Sequence, residues 1–313
     1  MFKYLSYGIP VISTLELAAF VSTTETFDEQ QILYVSEGNV PDHLENQPLE
    51  TKPFSIFNEN EFIYAVPEVA RYYIRDGKEV IIERTNGSWN EVLLFFYANC
   101  MAAALFQRNL IPFHVSGVFV DKSKVLLFAA PSRNGKSTTS VMLQQRGYSP
   151  FTDDTAVLFV ENGKCYAQAS YPMIRLWQNT IEKQKVLPEA EKFELCYNLE
   201  LDKYGFMFHQ QFVSDRVEVV GIVFLDADGS EMKTEKVKPS LAIQQLGNNV
   251  YRRQWLHGMK KQLVQFKQLT GIVSAIPLWK AYRPKGQATF ESFAEMIEDQ
   301  IIDSINQRKL VIK

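Results

Sequence analysis

Apolar and polar positions along this chain alternate in short runs at first and in longer ones later. Up to about residue 87 the runs are brief and rich in β-branched and aromatic residues: Phe2 to Tyr7, Gln31 to Val35, Phe54 to Phe57, Glu61 to Ala65 and Glu79 to Glu83. They predict strands. Asp76-Gly77 marks a hairpin between Ala70–Arg75 and Lys78–Arg84. Ser36 to Lys52, rich in Pro, Asn, Glu and Asp, predicts a loop, mobile if nothing pins it. No catalytic group assembles from local spacing here. A recognition or dimerisation role is the expectation for this part, and a homo-oligomer stays open.

From residue 88 the pattern lengthens. Ser88-Trp-Asn-Glu91 has the form of a capping box, and it opens an apolar helix over residues 89–108. That helix is apolar nearly all round, so it should be buried on several sides. A strand follows from Phe113 to Val120, then a turn at Asp121–Lys124 and a short apolar strand, Val125 to Ala129. Ser137 to Arg146 reads as a helix stopped by Gly147. Beyond it come strands at Ala156–Val160 and Cys165–Ala169, joined by a turn at Glu161–Lys164. Residues 178–200 are charged and helix-like, with a break at Pro188. Gly205 to Phe208 and Val217 to Leu225 are strands, the second ending in a turn at Asp226–Gly229. Residues 239–270 predict two helices that part at Gly247, Ile276–Tyr282 a last strand, and Thr289 to about Asn306 a closing helix.

Strands alternating with helices define an α/β chain. The predicted division is a β-rich part over 1–87, a connecting buried helix over 88–112 and a nucleotide-binding part over 113–313.

Composition narrows the picture. The chain has 313 residues, 46% apolar and 22% charged, enough for a substantial core. A net charge of -3 without a long basic run gives no sign of general nucleic-acid binding. Cys100, Cys165 and Cys196 are far apart and form no C-x-x-C pair, which fits a reducing cytoplasm and neither a disulfide scaffold nor a zinc site. The apolar run Val92 to Phe106 is shorter than the roughly 20 residues that span a bilayer. No signal peptide is read at the start, where Pro10, Ser13, Thr14 and Glu16 interrupt the apolar residues. A cytoplasmic protein with no membrane partner is the expectation.

The chemistry centres on Ala130-Pro-Ser-Arg-Asn-Gly-Lys-Ser137, close to the phosphate-loop pattern G-x-x-x-x-G-K-[ST]. An ordinary turn opening a helix would use the same residues. The strand before it and the helix after it favour phosphate binding, because helix-terminal amides and the helix dipole attract anions. Ser132, Arg133, Asn134, Gly135, Lys136, Ser137 and Thr138 are therefore the candidate nucleotide contacts. Two departures stand out: Ala130 replaces the first glycine, and Arg133 either obstructs the loop or reaches a phosphate or acidic substrate group. Asp153-Asp154 follow and precede an apolar strand, the reverse of the usual order. Beside a phosphate loop, such a pair can divide the work of metal ligand and general base.

His114-Val-Ser-Gly, the loop, Arg-Gly-Tyr148 and Thr152-Asp-Asp-Thr-Ala-Val157 resemble, in that order, the HPr kinase/phosphorylase superfamily. They are most similar to its divergent HPr-kinase-like members in biosynthetic clusters, including kinases of lasso-type precursor peptides (RiPP biosynthesis). Tyr4 to Gly8 and Val69 to Val80 also match that branch, as does Tyr171 to Trp177. The resemblance implies a mixed-sheet P-loop core like that of HPr kinase and phosphoenolpyruvate carboxykinase, with a β-rich N-terminal domain. It implies ATP and Mg2+ as cofactors, with Ser137, Asp153 and Asp154 as metal ligands. His114 is placed at the ATP site; a lone histidine in an apolar strand is otherwise structural. Arg175 pairs with phosphate or substrate, or simply with a neighbouring carboxylate. Lys203 matches a basic family position, although a surface lysine is the plainer reading. The glycine-containing signature of true HPr kinases is missing after Tyr171, which tells against HPr itself as acceptor.

The expected activity is transfer of a phosphoryl group from ATP to a hydroxyl of a peptide or small intermediate. The competing expectation is a nucleotide-binding scaffold or sensor without kinase activity.

Overall fold

The computed structural model describes residues 1–131, 134–177, 181, 192–194, 203–287 and 289–311. Strands β1 (Phe2–Ser6), β2 (Ile9–Ser13), β3 (Val21–Ser22), β4 (Leu33–Glu37), β5 (Glu50–Lys52), β6 (Ser55–Phe57), β7 (Glu61–Val66), β8 (Ala70–Arg75) and β9 (Glu79–Arg84) form a nine-stranded sheet in the order β3-β1-β2-β4-β9-β8-β7-β6-β5. The pattern of runs missed β2, because Pro10 sits inside it. Pro10 lies opposite Leu5, just after the hairpin turn, while pairing with β4 begins only at Val11. Strand starts are where proline is tolerated.

The ends of the predicted loop 36–52 belong to β4 and β5, and residues 38–49 between them are pinned. Glu61 accepts hydrogen bonds from the Glu45 and Asn46 backbone amides at 2.8 and 3.0 Å, and from Asn46, Asn58 and Tyr73 side chains. Arg71 donates to the Pro41 carbonyl and Asp42, and Arg75 pairs with Glu45.

Ser88 and Glu91 form the expected capping box. They open one long helix made of α1 (Trp89–Phe95), a π-helical turn (Phe96–Cys100) and α2 (Met101–Gln107). Its 19 residues, with a mean hydropathy of 1.3, are long and apolar enough to cross a membrane, yet 61% of that window is buried within the fold. The Tyr72 hydroxyl donates to the Val92 carbonyl at 2.8 Å, and Gln107 accepts from the Gly77 amide at 2.7 Å, so both halves are tied to β8 and its turn.

The strands that follow are β10 (Pro112–Phe113), β11 (Val115–Asp121), β12 (Lys124–Ala129), β13 (Pro150–Thr152), β14 (Ala156–Glu161) and β15 (Lys164–Ala169). β16 (Met173–Trp177), β17 (Lys192–Glu194) and β18 (Lys203–Met207) make a small sheet in the order β16-β18-β17. Most of the predicted helix-like stretch 178–200 lies outside the described residues. β19 (Val217–Gly229), β20 (Lys233–Lys236) and β21 (Leu278–Pro284) complete the set. The second large sheet runs β10-β14-β15-β19-β12-β11-β13, with β21 joined to β19 and β20 to β21. Both large sheets are mixed, and the chain is α/β.

β12 sits between parallel β19 and antiparallel β11 and is buried on both faces. Val125, Leu127 and Ala129 join a core shared with the first sheet and the long helix. Leu126, Phe128 and Ala130 join a second core with Val141, Leu143, Phe293 and Ile297. That double burial is why the sequence here is a continuous apolar run rather than an alternation. Each Val, Leu and Phe among these contributes about 1.5–3 kcal/mol through burial, so the strand that carries the phosphate-type loop is firmly fixed.

Three other expectations change. Residues 226–229 continue β19 instead of turning, because Asp226 pairs with Tyr282 of β21. The second predicted helix of 239–270 starts late. Pro239–Asn248 is helical, but Arg252 and Lys260 take left-handed φ values of 55° and 54°, and the next helix is Gln262–Ala275. Finally, the closing helix Phe290–Ile297 runs on through a π-helical turn into Asp303–Val311.

Candidate functional site

β12 runs into the loop at Ala130, and α3 (Lys136–Gln145) leaves it. Gly135 caps α3 with φ at 90°, a region open to glycine and strained for other residues. The Thr139 amide donates to the Gly135 carbonyl at 2.8 Å, so the helix is formed from its first turn. Lys136 is only 8% exposed. Its ammonium turns back and donates to the Ala130 carbonyl at 2.7 Å and the Pro131 carbonyl at 3.4 Å. Thr138 is buried, while Asn134 and Ser137 are half-buried. Ser132 and Arg133 lie outside the described residues. The geometry leaves a cation and the amides of a helix start at the end of a rigid strand, a setting that favours an anion.

The carboxylate pair reaches the same sheet edge by register. Ala129 lies opposite Val115, and Gly117 lies opposite Thr152, with β11 antiparallel to both partners. Asp153 and Asp154 therefore leave β13 beside the end of β12, two strands away, or roughly 10 Å at ordinary strand spacing. Asp153 is buried, and its Oδ2 accepts from the Arg175 backbone amide at 2.7 Å. Asp154 Oδ2 lies 3.2 Å from the Arg175 guanidinium. Arg175 thus takes the carboxylate-pairing role among those expected of it. Burial works against its charge, but the Asp154 carboxylate, with Tyr171, Tyr251 and Asp153, outweighs that and raises its pKa above the usual value.

His114 is not inside a strand as predicted. It occupies the break between β10 and β11, where its amide donates to the Asn249 carbonyl at 2.7 Å. Its ring meets Tyr251 edge-on, with centroids 6.0 Å apart. Lys203 starts β18 opposite Trp177; its side chain lies outside the described set.

Several residues at this site were given no role by the sequence reading. Tyr7 and Gly8 form the two-residue turn between β1 and β2, with φ values of 53° and 68°. The turn docks on the end of β15: the Tyr7 amide donates to the Ala169 carbonyl at 3.1 Å, and Ser6 donates to the Ser170 carbonyl at 2.7 Å. The Tyr7 and Thr155 hydroxyls share a hydrogen bond at 2.5 Å. A β-carbon on Gly8 would meet the end of the Gln168 side chain, and the left-handed φ of 68° favours glycine there. The Arg175 guanidinium also donates to the Tyr171 hydroxyl. Tyr171 packs on Tyr97 of the long helix and on Phe20. Burial pushes the phenols of Tyr7, Tyr171 and Tyr251 up, so they remain hydrogen-bond donors at neutral pH. The Tyr-Gly pair between two apolar runs was the available signal for Tyr7, as a hairpin turn.

Ser137, Asp153 and Asp154 offer hard oxygen donors of the kind Mg2+ takes, and that ion commonly completes its shell with substrate phosphates and water. Among the described residues, no group of three or more His, Cys, Asp or Glu forms a self-sufficient metal cluster. Asp226, three residues before the end of β19, is paired with Lys280 at 2.8 Å.

No protein-family model matches this chain, and neither does any curated protein. Among solved structures, the Hpr(Ser) kinase/phosphatase from Coxiella burnetii aligns over 62% of this chain and 97% of its own, at 14% identity and a TM-score of 0.30.

Proposed function

We propose that this chain is an ATP-dependent phosphotransferase that moves the γ-phosphoryl group to a hydroxyl. A serine of a peptide is the first candidate acceptor, and a small biosynthetic intermediate is the second. The observation that carries the proposal is the shared sheet edge: buried Lys136 at a glycine-capped helix start, with Asp153 and Asp154 two strands away.

Phosphoryl transfer needs positioning and charge neutralisation more than covalent help from the protein. Loop amides from Ser132 to Lys136 would cradle the phosphates. Lys136 exchanges its carbonyl partners for β- and γ-phosphate oxygens. Ser137 and one carboxylate hold Mg2+, which when bound neutralises phosphate charge. The other carboxylate takes the proton of the acceptor hydroxyl. Arg175 fixes both carboxylates in place, and the phenols of Tyr7 and Tyr171 supply neutral donors around them.

The test is transfer of label from ATP to candidate serine peptides. Lys136→Ala is expected to lose ATP binding. Asp153→Asn and Asp154→Asn are expected to keep ATP binding and lose transfer by about 10²–10⁴-fold, the range for a missing acid–base group. The metal-holding position will show a raised Mg2+ requirement, and the base position an altered pH profile. Full turnover in both carboxylate variants would end the assignment. The second reading, a nucleotide-binding scaffold, draws on Ala130 in place of glycine and on the engagement of both carboxylates by Arg175. Tight ATP binding with no transfer to any hydroxyl would favour it.

A further inference from the structure

β12, β19 and β21 run parallel, so their C-terminal ends lie at one edge. Ligands of open α/β sheets bind outside that edge. The loop follows β12 there, and Arg283 stands near the end of β21. Its neighbours on either side are neutralised: Lys280 pairs with Asp226 at 2.8 Å, and Lys285 with Asp228 at 3.0 Å. Among the described residues, no carboxylate pairs with Arg283. Its guanidinium lies over the Phe290 ring, 4.5 Å from the centroid. From where a β-carbon of Gly135 would stand, Arg283 Nη2 is 3.6 Å away, Nε 3.9 Å and the Phe290 ring 3.7 Å. A partly buried cation thus lies over an aromatic ring, beside the residue that caps α3.

The geometry points to Arg283 as a further nucleotide-binding residue, its guanidinium resting on Phe290 beside Gly135 and meeting the phosphate groups bound by the loop. This deepens the nucleotide reading of the loop and rests on it. A guanidinium placed over an aromatic ring still has N–H donors for an anion, in a fork that a flexible lysine does not offer. Burial disfavours the isolated charge, and a phosphate restores the balance. The terminal strand thereby closes the loop from the side opposite β11.

Titration calorimetry of ATP with Mg2+ tests this on the full chain, with wild type, Arg283→Gln, Arg283→Lys and Lys136→Ala side by side. Arg283→Gln keeps a planar group but no charge. It is expected to lose about tenfold or more in ATP affinity, as for one charge-assisted hydrogen bond, with an unchanged melting temperature in the absence of ATP. Arg283→Lys is expected to recover part of the loss. An Arg283→Gln affinity within twofold of wild type overturns the proposal, and a Lys136→Ala loss in the same series leaves the loop reading standing. If Arg283→Gln melts early, Arg283→Lys decides: recovered binding supports the proposal, and binding no better than in Arg283→Gln overturns it. A wild type that binds no ATP removes both.

Discussion

Arg175 and Asp154 form an ion pair at 3.2 Å, with their side chains only 11% and 13% exposed. Removing one partner from such a pair leaves the other charge buried without compensation, at about 3–5 kcal/mol. Arg175→Met is therefore expected to lower unfolding stability by that order in urea titrations. Arg175→Met combined with Asp154→Leu should regain much of it. A single substitution that leaves stability at the wild-type value would mean that water already solvates Asp154.

The hairpin tip offers a finer probe. Tyr7→Phe removes one buried hydrogen bond to Thr155, worth about 1–2 kcal/mol. Phosphoryl transfer is expected to fall more than ATP affinity, because the contact borders the carboxylates and not the loop. Gly8→Ala should be worse, since it combines a left-handed φ of 68° with overlap onto Gln168. Melting curves of the two variants, compared with their transfer rates, check the order.

Acid should weaken the hold of Glu61 on the loop over residues 38–49. Burial acts to raise the Glu61 pKa, but hydrogen bonds from Asn58, Asn46, Glu45 and Tyr73 prevail and hold it at about 2 against an ordinary 4.5. A depressed carboxylate stabilises the fold fully above its unfolded value and loses that contribution as pH falls through the folded one. The window is thus about pH 4.5 down to 2, with a contribution on the order of 3 kcal/mol. Glu61→Gln is expected to be less stable at pH 7 and to show a flatter acid limb. Denaturant midpoints measured across that window test the slope.

Thiol chemistry gives a further check on the core. Burial pushes the Cys165 thiol up to about 12 and raises that of Cys100 well above its usual value. Both thiols are fully enclosed. Maleimide at pH 7.5 should leave both unlabelled in the native protein and label them after denaturation, as peptide mass mapping will show. Rapid native labelling at Cys100 would mean that the long helix opens readily.

What could be read from the sequence is what local pattern encodes. Val125 to Ala129, the Lys136 helix with its Gly147 stop, the Ser88 capping box and the turns at Asp76-Gly77 and Asn162-Gly163 all depend on neighbours in the chain, and all are present. β2 and β20 were missed because one contains proline and the other is a polar strand, Lys233–Lys236, defined only by pairing with β21. The stretch around Arg252 was taken as helix because its composition is helical; its backbone is left-handed there, with the Arg252 guanidinium over the Tyr251 and Trp255 rings. In the site, motif residues were legible, but their supports were not. Tyr7, Tyr171, Tyr251 and Arg283 come from distant segments, and no spacing rule links position 7 with position 155.

The docking of Tyr7 on Thr155 also sets a schedule for synthesis. The two residues are 148 positions apart, and at ~5–20 residues per second the hairpin leaves the ribosome many seconds before its partner exists. Gly8 then waits with no Gln168 to pack against, and the first sheet can form while its turn still faces solvent. Contacts of such long range are slow to close. The carboxylate centre is therefore completed only once β15 and Arg175 are made: a chain stalled before β15 has both carboxylates but lacks the surface that receives the turn and the arginine that holds them.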